Sequence, residues 1–208
     1  MDESWPFPPW RVLLLGGASG TGKTSVSYPL ARHFGVGLTE VDDLQIAMKR
    51  ITTPEQQPIL HFWDTHREAV PWTPERILEL HLEVARLMTP ALAAVVDNHA
   101  EGGPPLVLEG DYLLPALAAD AAASAGAGAV RAVFLVEPDE AQIAANFARR
   151  EPGVDWGGRA RVSWLFGRWL QEEAGRVGIP ALPARPWDTL FARVLGAIGA
   201  AGVDTDCR

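Results

Sequence analysis

The chain has 208 residues, of which 48% are hydrophobic and 21% charged; 18 basic and 26 acidic side chains leave a formal net charge of −8. This is the composition of a folded domain rather than a disordered or fibrous chain, and the length suits one α/β domain. The acid excess points away from non-specific nucleic-acid binding, which needs Lys and Arg to displace counterions, and a single cysteine, Cys207, excludes an intrachain disulfide framework or a multi-cysteine metal site.

The amino end, Met1-Asp2-Glu3-Ser4-Trp5-Pro6, lacks the basic stretch and apolar run of a secretory signal, so a cytoplasmic protein is expected. Residues 11–15 (RVLLL) form a continuous apolar run ended by glycine, which predicts a strand covered on both faces. A helix is expected from after Gly22 to about Phe34, stopped by Gly35 and Gly37, followed by a strand over 37–41 and a helix from Asp42 or Asp43 to Arg50. Thr53-Pro54 and Thr73-Pro74 each place a capping hydroxyl before a proline suited to the first helical turn. They predict helices near 54–69 and 74–100, the second bent at Pro90. The apolar stretch 77–96 carries Glu79, His81, Glu83 and Arg86, so it is read as a helix in water and not a membrane span.

Strands are then expected at 106–108, 129–136 and 179–182, with a helix starting at Pro138, a Gly/Pro-rich loop over 150–158, a helix over 159–176 and a last helix near 186–200. The Ala/Gly run 116–129 reads as an ordinary helix and turn. Alternation of strands and helices predicts one α/β domain, a parallel sheet with helices on both faces. The helical insertion over about 43–100 and the loop over about 149–161 would lie over one end of that sheet.

Gly17-Ala18-Ser19-Gly20-Thr21-Gly22-Lys23-Thr24 satisfies G-x-x-x-x-G-K-[ST], with an apolar strand before it and a helical pattern after it. Glycines let successive backbone N–H groups point at phosphate oxygens, and the helix start adds its positive dipole end. In this pattern Lys23 reaches the β- and γ-phosphates, the Thr24 hydroxyl is placed to ligate Mg²⁺, and Ser25 continues the nucleotide contact. A guanine-reading N-K-x-D motif is absent, Asp155-Trp156-Gly157-Gly158 lies in a loop rather than at a strand end, and no room remains for the helical domain of a AAA-type motor. A kinase acting on a small molecule fits better.

The phosphate loop, together with Val41-Asp42-Asp43-Leu44, Leu108-Glu109-Gly110-Asp111 with Leu114-Pro115, and Phe147-Ala148-Arg149-Arg150, resembles the P-loop kinase superfamily related to nucleoside monophosphate kinases. Within it the likeness is to 2-phosphoglycerate kinase-like proteins, with chloramphenicol phosphotransferase-like and zeta-toxin kinases nearby. The resemblance covers roughly residues 11–190. It implies a three-layer fold around a five-stranded parallel sheet of order 2-3-1-4-5, a helical substrate-binding region, an Arg-bearing lid, and the use of ATP and Mg²⁺.

On this reading one of Asp42 and Asp43 caps the next helix and the other acts; Asp42 is the preferred catalytic base, and both are candidates to touch substrate. Glu109, in the place of a Walker B acid, would hold Mg²⁺ through water or orient the acceptor, and Asp111 would touch substrate. Arg149 and Arg150 would bind transferring phosphate, with Arg159 and Arg161 joining them on lid closure. Arg185, Pro186 and Trp187 follow the last strand, where related kinases place the adenine-contacting turn. The acceptor region is expected over 43–75. There Lys49, Arg50 and Arg67 would suit a phosphorylated acid, while Trp63, Trp72 and the histidines would equally suit a sugar, nucleoside or aromatic compound. His61 and His66 are five apart, against the four needed by a helical metal pair, so no metal site is expected there. The expected partner is thus a small hydroxylated acceptor. The alternatives are a zeta-toxin-like kinase of a nucleotide sugar, or a nucleotide-switched binding protein or slow ATPase.

Overall fold

A computed structural model describes residues 8–66, 72–126, 128–153 and 155–199. Its strands are β1 (Val12–Gly17), β2 (Gly37–Glu40), β3 (Leu106–Gly110), β4 (Val130–Val136) and β5 (Ala181–Pro183). They form one sheet of order β2-β3-β1-β4-β5, and every pairing is parallel. The helices are α1 (Thr24–Phe34), α2 (Val41–Ile51), α3 (Phe62–Thr65), α4 (Pro74–Glu101), α5 (Pro115–Ser124), α6 (Glu140–Arg150), α7 (Gly157–Arg176) and α8 (Leu190–Ala197). This is the fold class and strand order expected from the sequence.

Because strand side chains alternate between faces, β1 serves two cores. Val12 and Leu14 pack with α4, α5 and α7 residues such as Met88, Leu117 and Leu170. Leu13 and Leu15 pack on the other face with Val26 and Leu30 of α1 and Val194 of α8. Each of Leu13, Leu14 and Leu15 is at most 1% exposed, and burying a leucine side chain contributes about 1.5–3 kcal/mol. The strand that carries the phosphate loop is therefore firmly anchored from both sides.

Helix ends follow the local chemistry. Gly35 adopts φ 62° and donates its N–H to the Ala31 and Arg32 carbonyls, closing α1. The Thr73 hydroxyl accepts from the Arg76 N–H at 3.3 Å to start α4, which runs unbroken through Pro90 to Glu101. Three expected boundaries move. The helix expected near 54–69 is, over its described residues 54–66, a series of turns leading into the four-residue α3, where Pro58 removes a backbone donor that a continuous helix would need; residues 67–69 lie outside the described residues. Strand β2 ends at Glu40, so Asp42 and Asp43 sit in the first turn of α2 and not at the strand end. Strand β3 continues to Gly110, making Glu109 part of the strand. Among the described residues, no helix is long and apolar enough to cross a membrane.

Candidate active site

The loop between β1 and α1 is shaped by its own sequence. The Thr21 N–H and hydroxyl both donate to the Ala18 carbonyl, at 3.3 and 2.8 Å. Gly20 and Gly22 adopt φ 79° and 86°, a region that side-chain-bearing residues rarely enter. At Gly22 a Cβ would lie 2.6 Å from the Trp187 ring. Lys23 is only 6% exposed; its Nζ donates to the Ala18 carbonyl at 3.2 Å, forms an ion pair with Asp111, and lies 4.0 Å from Glu109. The first turn of α1 carries no acidic residue, so its positive dipole end is free to face an anion.

Parallel registration brings the carboxylates to the same sheet edge. Glu40 stands beside Glu109 across β2 and β3, and Leu15 beside Glu109 across β1 and β3. Glu109 Oε2 accepts from the Thr24 hydroxyl at 3.3 Å and the Ser27 hydroxyl at 3.2 Å. Burial raises the Glu109 pKa, with Lys23 opposing. Burial also raises that of Asp42; the Asp111 charge adds to the rise and Lys23 again opposes it. Glu40 accepts from the Tyr28 hydroxyl at 2.8 Å, which raises the tyrosine pKa.

Helices α6 and α7 supply cations. Arg149 and Arg150 end α6. Arg159 lies over the rings of Phe147 and Trp156, at 4.8 and 5.3 Å, and reaches the Ser19 hydroxyl at 3.4 Å. Asn146 ties α6 to the loop: its Nδ2 donates to the Gly20 carbonyl at 2.9 Å, while its Oδ1 accepts from Gln142 and Arg149 at 3.0 Å each. Loop, carboxylates and arginines enclose a cavity of about 800 Å³.

Of the sequence-predicted residues, Ser19, Gly20, Gly22, Lys23, Thr24, Ser25, Asp42, Glu109, Asp111, Arg149 and Arg150 line this cavity together. Gly17, Ala18 and Thr21 are buried and do not line it. Asp43 and Arg50 are exposed on α2 and do not line it. Arg185 does not reach it either: its guanidinium makes two bonds of 2.8 Å to the buried Glu137 carboxylate, which hold the Arg185 pKa high. Trp187, one residue past Pro186, lines the cavity instead. Arg161 pairs with Glu140 at 3.0 Å and Lys49 with Asp64 at 2.7 Å. Arg67 lies outside the described residues.

Sequence reasoning missed Glu40 and Asn146, and it missed a second cavity of about 470 Å³ lined by Trp63, Ile77, His81, Tyr112, Val162, Phe166 and neighbours. The two cavities share Ser19, Asp111 and Arg159. The Glu40-x-Asp42 spacing at the β2–α2 junction was a readable signal for Glu40; the second cavity, assembled from α4, α7 and the segment after β3, had none.

No protein-family model matches the chain. It is similar to a 2-phosphoglycerate kinase of Methanococcus maripaludis strain C6, 27% identical over 116 residues, covering 51% of this chain and 37% of that protein. The chain thus matches little more than a third of that relative's length. Among solved structures, a gluconokinase from Sinorhizobium meliloti 1021 aligns with TM-score 0.58 and 21% identity over 93% of each chain. Shikimate kinase from Acinetobacter baumannii, in complex with shikimate, aligns with TM-score 0.54 and 14% identity over 94% of this chain and 96% of that one. What these two solved kinases share with the chain is its fold.

Proposed function

We propose that the protein is an ATP-dependent kinase that transfers the γ-phosphoryl group to a hydroxyl of a small molecule. The observation that carries this reading is the convergence of Lys23, Asp42, Glu109, Asp111, Arg149 and Arg150 with the glycine loop on one cavity of about 800 Å³, a volume within the range of nucleotide-sized sites.

The loop amides and the start of α1 bind the polyphosphate, and Lys23 transfers its ion pair from Asp111 to the terminal phosphates. The residues present suit Mg²⁺, whose preference is for hard oxygen ligands alongside phosphate: the Thr24 hydroxyl would hold it, with Glu109, already bonded to Thr24, orienting the ligand shell. Held there, the ion would supply positive charge to offset that of the polyphosphate. Asp42 takes the proton of the acceptor hydroxyl as its oxygen bonds to the γ-phosphorus, and the bond to the β–γ bridging oxygen breaks to release ADP. Lys23, Arg149 and Arg150 balance the charge on the equatorial oxygens, and Arg159 closes the side toward α7.

The reading is tested by incubating the protein with ATP and Mg²⁺ against pools of hydroxylated metabolites and following ADP release. Acceptor-dependent ADP formation is expected, and Lys23→Ala should reduce it at least 10³-fold with the fold retained by circular dichroism. Undiminished turnover in that variant would refute the assignment.

A further inference from the structure

The second cavity is continuous with the first through Ser19, Asp111 and Arg159. Asp111 also pairs with Lys23, so this junction lies beside the place proposed for the terminal phosphate. Beyond the junction the lining changes character. Trp63, Ile77, Tyr112, Val162 and Phe166 supply apolar and aromatic surface, and Asp111 and Arg159 are the only charged residues among the described lining. His81 stacks on Tyr112 with ring centroids 4.8 Å apart and meets Phe166 edge-on at 4.4 Å.

Two polar atoms in this wall keep hydrogen-bonding capacity for a ligand. His81 Nε2 is buried and has no hydrogen-bond partner among the described residues, a costly arrangement unless a ligand supplies one. The Tyr112 hydroxyl accepts from Gln45 Nε2 at 3.0 Å. Burial, then the charges of Asp111 and Asp42, push its pKa to about 12, so the phenol keeps a proton to donate. Burial likewise lowers the His81 pKa, against the charge of Asp111 and a hydrogen bond to its backbone, which favours a neutral ring that can accept at Nε2.

We propose that this cavity of about 470 Å³ receives the acceptor, and that the acceptor is an uncharged hydroxylated compound with a flat apolar or aromatic face, held by hydrogen bonds to His81 and Tyr112. The proposal rests on the kinase reading and names its substrate class. The ring face lies among Trp63, Tyr112 and Phe166, and the reacting hydroxyl projects through the junction toward Asp42. A phosphorylated acid needs several clustered cations, and the described lining offers it Arg159 alone, beside the repelling Asp111. Of the cations that the sequence set aside for such a ligand, the two among the described residues do not line this cavity: Lys49 is paired with Asp64, and Arg50 is exposed.

The experiment is calorimetric titration of the full chain saturated with Mg²⁺ and β,γ-imido-ATP, using phenyl β-D-glucopyranoside as one probe and 2-phosphoglycerate as the other. The glucoside should bind saturably, and 2-phosphoglycerate more weakly or not at all. His81→Leu and Tyr112→Phe should each weaken the glucoside about tenfold, the worth of one buried hydrogen bond, while leaving the affinity for β,γ-imido-ATP unchanged. The proposal is overturned if 2-phosphoglycerate binds as tightly as the glucoside, if neither variant alters glucoside affinity, or if the glucoside fails to bind a chain that does bind the nucleotide analogue. Failure of the wild-type chain to bind the nucleotide analogue at all would instead defeat the kinase reading, and this assignment with it.

Discussion

Burial and the neighbouring charge of Asp111 raise the Asp42 pKa above the ordinary value of 3.8, with Lys23 opposing them. A carboxyl that binds its proton more tightly in the folded chain than in the unfolded one favours folding when protonated. That advantage is lost as pH rises from 3.8 through the folded-state pKa. At neutral pH an ionised Asp42 therefore opposes folding of the nucleotide-free chain, while the proposed base needs that ionised form. Asp42→Asn should raise the melting temperature at pH 7 and lower kcat by about 10²–10⁴-fold, the usual contribution of general-base catalysis, with nucleotide affinity nearly unchanged. Thermal melts and steady-state kinetics check both halves. In the unmodified chain kcat/KM should fall on the acid side with a midpoint above 3.8. An acid limb at or below that value would remove Asp42 from the role.

At the scale of elements, the loop works because a strand buried on both faces delivers it and a helix start receives it, and Gly22 is one of the residues it cannot readily replace. Gly22→Ala would combine a left-handed φ of 86° with a Cβ 2.6 Å from the Trp187 ring. Strain of about 1–2 kcal/mol for the alanine alone would drive the loop into another course, so nucleotide affinity should fall about tenfold or more by calorimetry; an unchanged affinity would show that the loop is not held as described. This much was legible beforehand: the eight-residue motif, the continuous apolar run of β1 and the helix stop at Gly35 are local patterns, and local patterns survive in a sequence. The second cavity was not, because it joins α4, the segment after β3 and α7. His81 reads along the chain as one more polar residue within a long amphipathic helix; only the packing of α7 on α4 sets Phe166 against its ring. Arg185 misled for the opposite reason. Its position after the last strand suggested a ligand contact, yet the residue that follows β4 is a buried carboxylate, Glu137, that claims the guanidinium first.

For the molecule as a whole, stability and ligand binding should be separable by residue. The Glu137 side chain is fully buried; it accepts two bonds of 2.8 Å from Arg185 and one of 3.0 Å from the Asp139 N–H. Arg185→Ala strands that carboxylate at a cost of roughly 3 kcal/mol, which for a domain of this size lowers the melting temperature by about 6–12 °C. A nucleotide present at a hundred times its Kd stabilises the fold by about 2.7 kcal/mol and should raise the melting temperature by about 5–11 °C. Because Arg185 lies outside the cavity, Arg185→Ala should keep that ligand-induced rise from its lowered baseline, whereas Lys23→Ala should lose the rise whatever its baseline. Thermal melts of the two variants with and without Mg²⁺ and β,γ-imido-ATP make the comparison. Were the rise to shrink in Arg185→Ala as it does in Lys23→Ala, the guanidinium would belong to the nucleotide site after all, and the pairing with Glu137 would have to give way when nucleotide binds.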